Sequence, residues 1–322
     1  MELIFRGKTL DTGSARVGAL HASNGILDDV SAQHQRMRDE GYLLFRGLVD
    51  PQVVLDARRE ILLKYAIVGE IDSNGHDVME SIQQTPSFID QVNLLAFTES
   101  IRSGKAYNDV VSHPALLGFF ARFLGGAVAT FDFKWPRFVR PGEGTGIHSD
   151  IVYIGRGTKN LWSAWIPLGA VSLDEGPLIV LERSHRATTL DAYWSADADR
   201  DKIGWLGEDP FALQDALGGR WLTSPFEAGD VIVFDTRLVH GSLDNVSPRR
   251  RCRLTSDTRY QLAHEPLDDR WNGDISNPHG GSQKAFLPGI MKTNGNREFE
   301  EEWKPVDAHG RLVSAVSSEA SA

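Results

Sequence analysis

Apolar positions recur at helical spacing in the first third of the chain and as short strand-length runs after it. Val53, Ala57 and Ile61 stand four apart. Asp50 offers an N-cap and Pro51 fills the first helical position, so the pattern predicts an amphipathic helix over 51–65. Residues 30–40 read as a more polar helix stopped by Gly41, followed by a short buried strand over Tyr42-Leu43-Leu44-Phe45-Arg46-Gly47. Pro114 opens another helix, whose Leu116, Phe119, Phe120 and Phe123 form a broad apolar face before Gly125-Gly126 ends it. Residues 1–28 are mixed and predict an irregular arm or short strands. Residues 66–110 are polar and irregular, and predict a long loop with helical pieces bordering a pocket.

From about residue 127 the runs shorten and turn residues punctuate them. Strands are predicted at 128–134, 147–154, 160–168, 177–182, 230–235 and 251–261. Strands without interleaved helices favour an antiparallel sandwich or barrel. A Trp-rich insertion over 186–225 (Trp194, Trp205, Trp221) interrupts them. With no internal repeat and no linker, 1–322 reads as one domain. It comprises a mainly helical part at 1–126, a β core at 127–261, a C-terminal extension at 262–304 and an Ala/Ser-rich flexible tail at 305–322. The irregular stretches 66–110, 186–225 and 262–300 are expected to shape a pocket.

Charge and cysteine content narrow the function classes. A net charge of −10 and a pI near 5.5 argue against a nucleic-acid binder, which needs a basic footprint. The single cysteine, Cys252, rules out a disulfide within the chain and a cysteine-based zinc cluster, and makes a reducing, cytoplasmic setting the expectation. The first residues lack the apolar run of a secretory signal, and no stretch of 18 apolar residues suggests a membrane span. The expected partner is a small molecule; oligomeric state is not legible.

Candidate chemistry centres on Gly146-Ile147-His148-Ser149-Asp150. On a strand, alternate side chains share a face, which would aim His148 and Asp150 the same way. His-x-Asp is common by chance, and a buried ion pair is the competing reading. His240 strengthens the metal reading, because it follows the turn and apolar strand Gly229 to Phe234 and precedes Gly241. Two histidines and a carboxylate with open positions form the facial triad of non-haem Fe(II) oxygenases. His21, His34, His76, His264, His279 and His309 lie in polar contexts and read as surface residues. His113 reads as the residue leading into the Pro114 helix, and His185 as a structural hydrogen-bonding residue.

The last strand carries a second signal. Arg251, Arg253, Thr255, Asp257, Arg259 and Gln261 fall on one parity. Facing a cavity, such arginines need an anion, and a guanidinium fork matches a carboxylate. Arg253 with Thr255 could grip the distal carboxylate of a five-carbon dicarboxylate. A solvent-facing edge strand laced with Arg–Asp pairs is the alternative.

These residues together resemble the phytanoyl-CoA dioxygenase family of Fe(II)/2-oxoglutarate oxygenases. The resemblance runs from about residue 30 to 261. It includes Glu40-Gly41-Tyr42-Leu43, Asp50-Pro51, Leu124-Gly125, His148-x-Asp150, Trp165-Ile166-Pro167-Leu168, Glu175-Gly176-Pro177-Leu178, Ser184-His185, Gly229-Asp230, His240-Gly241-Ser242 and Asn245-x-Ser247. It implies a mainly β fold with N-terminal helices around a double-stranded β-helix, the cupin-like jelly roll. It implies iron held by His148, Asp150 and His240, with 2-oxoglutarate as co-substrate and O2 as oxidant. It also implies an arginine on the last strand against 2-oxoglutarate. The family's usual interval from His240 lands on Arg251, whereas alignment back from Arg-x-Thr-x-Asp-x-Arg-Tyr lands on Arg253, which the Thr255 hydroxyl favours. Trp165 matches a tryptophan near the co-substrate, and equally fits a sandwich core. The implied reaction is hydroxylation of an unactivated C–H bond in a small organic molecule or natural-product intermediate, with release of succinate and CO2. Asp150, which related halogenases replace with a small residue, argues for hydroxylation over halogenation. Two other readings are a cupin-like iron enzyme that does not use 2-oxoglutarate and a non-catalytic barrel that binds or senses a ligand.

Overall fold

In the computed structural model, residues 2–87, 93–273 and 304–306 are described. The first 28 residues supply short strands: a hairpin of β1 (Leu3–Phe5) and β2 (Lys8–Leu10), then β3 (Val17–Ala19). Helix α1 (Val30–Glu40) has the predicted bounds. Asp29 accepts a hydrogen bond from the Ala32 N–H at one end, and Gly41 closes the other at φ 85°, a conformation that strains any residue with a Cβ. Strand β4 (Tyr42–Phe45) follows, and α2 (Pro51–Ile67) starts on the Asp50 cap and runs two residues beyond the expected end. Where a loop with helical pieces was expected, α3 (Leu94–Arg102) and α4 (Lys105–Val111) form, and α5 (Pro114–Leu124) carries the predicted aromatic face.

The rest of the chain runs through β5 (Val128–Thr130), β6 (Trp135–Val139), the one-turn helix α6 (Ile151–Ile154), β7 (Leu161–Pro167) and β8 (Leu178–Leu181). It continues with α7 (Asp191–Trp194), α8 (Ala198–Asp201), β9 (Ile203–Leu206), α9 (Pro210–Leu217) and β10 (Trp221–Thr223). It closes with β11 (Val231–Asp235), β12 (His240–Ser242), β13 (Arg253–Leu262) and β14 (Lys304–Val306), the last parallel to β9.

Two sheets make the jelly roll. The larger has the order β4-β11-β7-β13, with β5 and β6 both pairing the far edge of β13, all antiparallel. The smaller has the order β12-β8-β10-β3, with β3 parallel to β10. Strand alternation sorts the side chains. Tyr42, Leu44, Trp165, Ile232 and Phe234 of the large sheet meet Leu178, Val180 and Leu222 of the small one between the layers. Leu43, Phe45, Ala164, Ile166, Val233, Leu254 and Tyr260 turn the other way and pack under α2, α4 and α5. Phe119, Phe120 and Phe123 are fully or almost fully buried there, each worth about 1.5–3 kcal/mol at most by area. The outer face of the small sheet (Ile179, Leu181, Trp221) is covered by β1, β2 and the segment after β8.

Several expectations change. The strand expected at 128–134 stops at Thr130, and a separate strand, β6, follows at Trp135–Val139. The stretch 147–154 is not a strand: a single antiparallel bridge at His148 gives way to α6. The Trp-rich insertion ends sooner than 225, because Trp221–Thr223 is a strand of the small sheet. Lys304–Val306 is a strand, so β14 takes the first two residues of the expected tail. Residues 274–303 and 307–322, with His279 and His309, lie outside the described residues. Among the described residues no helix is long and apolar enough to cross a membrane.

Candidate metal centre

His240 and His148 are brought together by a backbone pair. The His148 N–H donates to the His240 carbonyl at 2.8 Å and the His240 N–H returns the bond at 2.9 Å. Directly paired antiparallel residues share a face. His240 also pairs with Val180, an inter-sheet core residue, so that face is the interior. Each ring is then fixed by its own loop: His148 Nδ1 lies 2.8 Å from the Gly146 carbonyl and His240 Nδ1 2.9 Å from the Leu238 carbonyl. A carbonyl only accepts, so both Nδ1 atoms carry the proton and both Nε2 lone pairs are free for a metal.

Asp150 reaches the same point by another route than strand alternation. Its backbone is helical (φ −62°, ψ −31°) and it stands at the start of α6. Its loop is tied to the turn between β11 and β12, where Ile151 N–H donates to the Thr236 carbonyl and Ser149 Oγ to the Arg237 carbonyl, both at 2.9 Å. Asp150 Oδ1 then lies 3.6 Å from His148 Nε2 and 3.8 Å from His240 Nε2. The three ligand atoms fall within 4.8 Å of one another and all three residues are buried, a set that could hold a metal ion. Atoms bonded to one ion at about 2.1 Å can be at most about 4.2 Å apart, so both measured edges are within reach.

The surrounding charges keep the site ready for a cation. Burial pushes the Asp150 carboxyl up, but the Arg259 guanidinium and then the two histidines outweigh it and hold it well below the ordinary carboxylate value. Burial, and next the neighbouring His148, pull the His240 imidazole down to about 4. A carboxylate and a neutral imidazole are the forms that ligate metals.

The interior parity of β13 lies beside this triad. Arg253 is 3% exposed; its Nη2 reaches Ser242 Oγ at 3.3 Å, while its Nε and Nη1 have no partner. The Thr255 hydroxyl, also buried, has none either. Burial lowers the Arg253 guanidinium to about 10, still a cation at neutral pH. Asp257 is paired with Arg137 at 2.6 Å, and Arg259 with Asp150 at 3.0 Å. Arg251 precedes the strand and points elsewhere: its Nη1 is 3.1 Å from Glu175 Oε1 and its Nε donates to the Glu80 carbonyl at 3.1 Å. Trp165 lines the inter-sheet core against Phe226, and the Arg253 Cζ lies 6.0 Å from its ring.

Of the other histidines, His185 is buried with Nε2 at 3.0 Å from the Arg38 carbonyl, and His113 caps α5 through Nδ1. His21, His76 and His264 are exposed, whereas His34 is half-buried and stacks on Phe123. Sequence reasoning missed Ser163 and Arg259, which hold Asp150. Reading the parity of β7 as that of β13 was read would have found Ser163. It also missed how the excursion between β8 and β10 supports the loop that carries His148 and Asp150. Trp194 Nε1 donates to Ser149 Oγ at 3.2 Å, the Leu206 N–H to the Ile147 carbonyl at 2.6 Å, and the Trp205 ring lies against Gly146.

The sequence model of phytanoyl-CoA dioxygenase (PhyH) matches residues 37–252, well over half the chain. The chain belongs to this family. It is an iron- and 2-oxoglutarate-dependent dioxygenase, an oxidoreductase. Two relatives, each called 1-deoxypentalenic acid 11-beta-hydroxylase, are 27% identical to it. The one from Streptomyces exfoliatus aligns over 74% of this chain and 83% of its own, the one from Streptomyces arenae over 83% and 92%. A solved structure of the epimerase SnoN with Fe3+, alpha ketoglutarate and nogalamycin RO superposes with a TM-score of 0.51 at 19% identity. It covers 84% of this chain and 91% of that one, a likeness of fold.

Proposed function

We propose that His148, Asp150 and His240 hold the iron, and that Arg253 with Thr255 anchors the distal carboxylate of 2-oxoglutarate. The chain would then hydroxylate an unactivated C–H bond in a small organic molecule or natural-product intermediate. The observation that carries this is the pair of unpartnered nitrogens on Arg253 beside the unpartnered Thr255 hydroxyl. Buried donors of this kind need an acceptor. A carboxylate supplies one for each, and the donors lie on the interior face that also holds the triad. A cupin-like iron enzyme without 2-oxoglutarate would have no use for them. Arg251, engaged with Glu175, is not the anchor in this reading.

Bound iron and 2-oxoglutarate supply the oxidising power, and succinate and CO2 are released. The chain's own residues do the positioning. The carbonyls of Gly146 and Leu238 keep both imidazoles in the ligating tautomer. The planar Arg253 fork would set the orientation of the co-substrate, and Trp165, packed on Phe226 with the Arg253 Cζ 6.0 Å from its ring, would border it. Trp135 and Arg137, half-buried on the interior parity of β6, pair with Asp257 and Thr255. The relatives' names denote hydroxylation of an organic acid, which agrees with a small-molecule substrate.

The test is a screen for substrate-dependent succinate release over small organic acids and natural-product intermediates, with product mass read for the gain of one oxygen. Asp150→Ala should abolish coupled turnover. Turnover that survives that substitution would refute the ligand assignment. Iron-dependent product formed without 2-oxoglutarate would favour the other enzyme reading.

A further inference from the structure

We infer that Arg259 and Ser163 form a clamp that presents the Asp150 carboxylate to the metal through one oxygen only. The inference rests on His148, Asp150 and His240 being the iron ligands. The two carboxylate oxygens of Asp150 are in different surroundings. Oδ1 faces both imidazole Nε2 atoms, at 3.6 and 3.8 Å. Oδ2 faces away from them, accepting from Ser163 Oγ at 2.5 Å and lying 3.0 Å from Arg259 Nη2. All three residues are buried, at 4%, 0% and 4% exposure for Asp150, Ser163 and Arg259, so water does not compete for Oδ2. Two donors engage its lone pairs, which leaves Oδ1 as the free donor atom.

The clamp follows from sheet register. Arg259 of β13 and Ser163 of β7 are directly opposite partners. Both point to the interior, so one cross-strand pair delivers a hydroxyl and a guanidinium to a single point. Arg259 has little other employment. Its Nε has no partner, its Nη1 makes only a 3.4 Å contact with the adjacent Thr258 carbonyl, and its guanidinium stacks on Trp135 at 4.9 Å. Among the described residues Asp150 is the one carboxylate within ion-pair distance of it. A carboxylate without the clamp can rotate to offer both oxygens or turn toward a histidine, and either would cost open positions at the metal. Outer-shell partners of this kind typically change metal affinity by about 10- to 100-fold. If Arg259 merely balanced buried charge, lysine would replace it; a positioning role needs the flat guanidinium that stacks on Trp135 and sets Nη2 at Oδ2, which an ammonium does not reproduce.

The test compares full-length wild type with Ser163→Ala, Arg259→Lys, Arg259→Met and Asp150→Ala. Folding is followed by circular dichroism, Co(II) affinity by calorimetry and coordination by the visible Co(II) spectrum. Arg259→Met is expected to weaken Co(II) binding about 10- to 100-fold and Ser163→Ala less, each with an altered spectrum. Arg259→Lys should recover part of the affinity but not the wild-type spectrum. Affinity for 2-oxoglutarate at saturating metal should change less than about threefold in Ser163→Ala, because Arg253 and Thr255 are untouched. Wild-type Co(II) affinity and spectrum in folded Ser163→Ala and Arg259→Met would overturn the inference. Should Arg259→Met not fold, Ser163→Ala decides alone. Failure of wild type to bind Co(II), or binding unaffected by Asp150→Ala, would refute the triad itself, a result distinct from failure of the clamp.

Discussion

Replacing Arg253 with methionine separates the two arginines that sequence alone leaves open. Met matches the length of the aliphatic stem and removes a guanidinium that has two unpartnered nitrogens in a position 3% exposed. Each buried, unmet donor costs about 1–3 kcal/mol. Without co-substrate the variant should therefore be as stable as wild type or more so. With co-substrate the sign reverses. Losing a desolvated charge pair costs about 2–5 kcal/mol, or roughly 30- to 5,000-fold in 2-oxoglutarate affinity. Arg251→Met is the control. It leaves Glu175 without its ion pair and so lowers stability, but should change 2-oxoglutarate affinity less than about threefold. The assay is anaerobic calorimetry of 2-oxoglutarate into metal-loaded protein, alongside melting curves with and without it. Wild-type affinity in Arg253→Met together with a large loss in Arg251→Met would refute the reasoning.

Other outcomes follow from the same geometry. Thr255→Val, which removes one hydroxyl, should weaken 2-oxoglutarate by about fivefold in the same titration. For His240 the sign is set by a folded value near 4 against an ordinary 6.5. The unfolded chain takes up that proton below about 6.5 and the folded chain only below about 4. The stability it contributes is thus full above 6.5 and is lost as pH falls toward 4, by about 3 kcal/mol at about 1.4 kcal/mol per pH unit. In metal-free protein His240→Gln should flatten the melting-temperature profile between those values, and parallel profiles would count against the assignment. Gly146→Ala places a methyl group into the Trp205 ring, so it should cost about 1–3 kcal/mol and weaken metal binding through His148. Trp205→Leu in the same chain should restore part of both; a simple sum of two losses would show that the Trp205 contact does not position the ligand loop.

The elements that sequence conveyed well are those with local causes. The caps Asp50 and Gly41 and the spacing of apolar residues mark α1, α2 and α5 because helix ends and faces are set within a few residues. The parity of β13 was legible for the same reason, and its charged face is the interior one. The loop that carries His148 and Asp150 was not. His148 and Asp150 suggested strand alternation, but Asp150 is helical because distant residues, Thr236 and Arg237, hold its loop. The pairing of His148 with His240 and of Ser163 with Arg259 is a matter of register between strands far apart in the chain. Nothing local records such register. The proposed preference for Arg253 over Arg251 likewise rests on where β13 begins: Arg251 lies two residues before it and turns to Glu175.

The most direct test of the iron-ligand and co-substrate assignment is an anaerobic titration of Fe(II)-loaded protein with 2-oxoglutarate, followed by visible absorption. Wild type should develop a weak charge-transfer band that saturates with one 2-oxoglutarate per chain. Asp150→Ala and Arg253→Met should not reach it at the same concentrations. No band in wild type, or the same band and midpoint in all three proteins, would contradict the account.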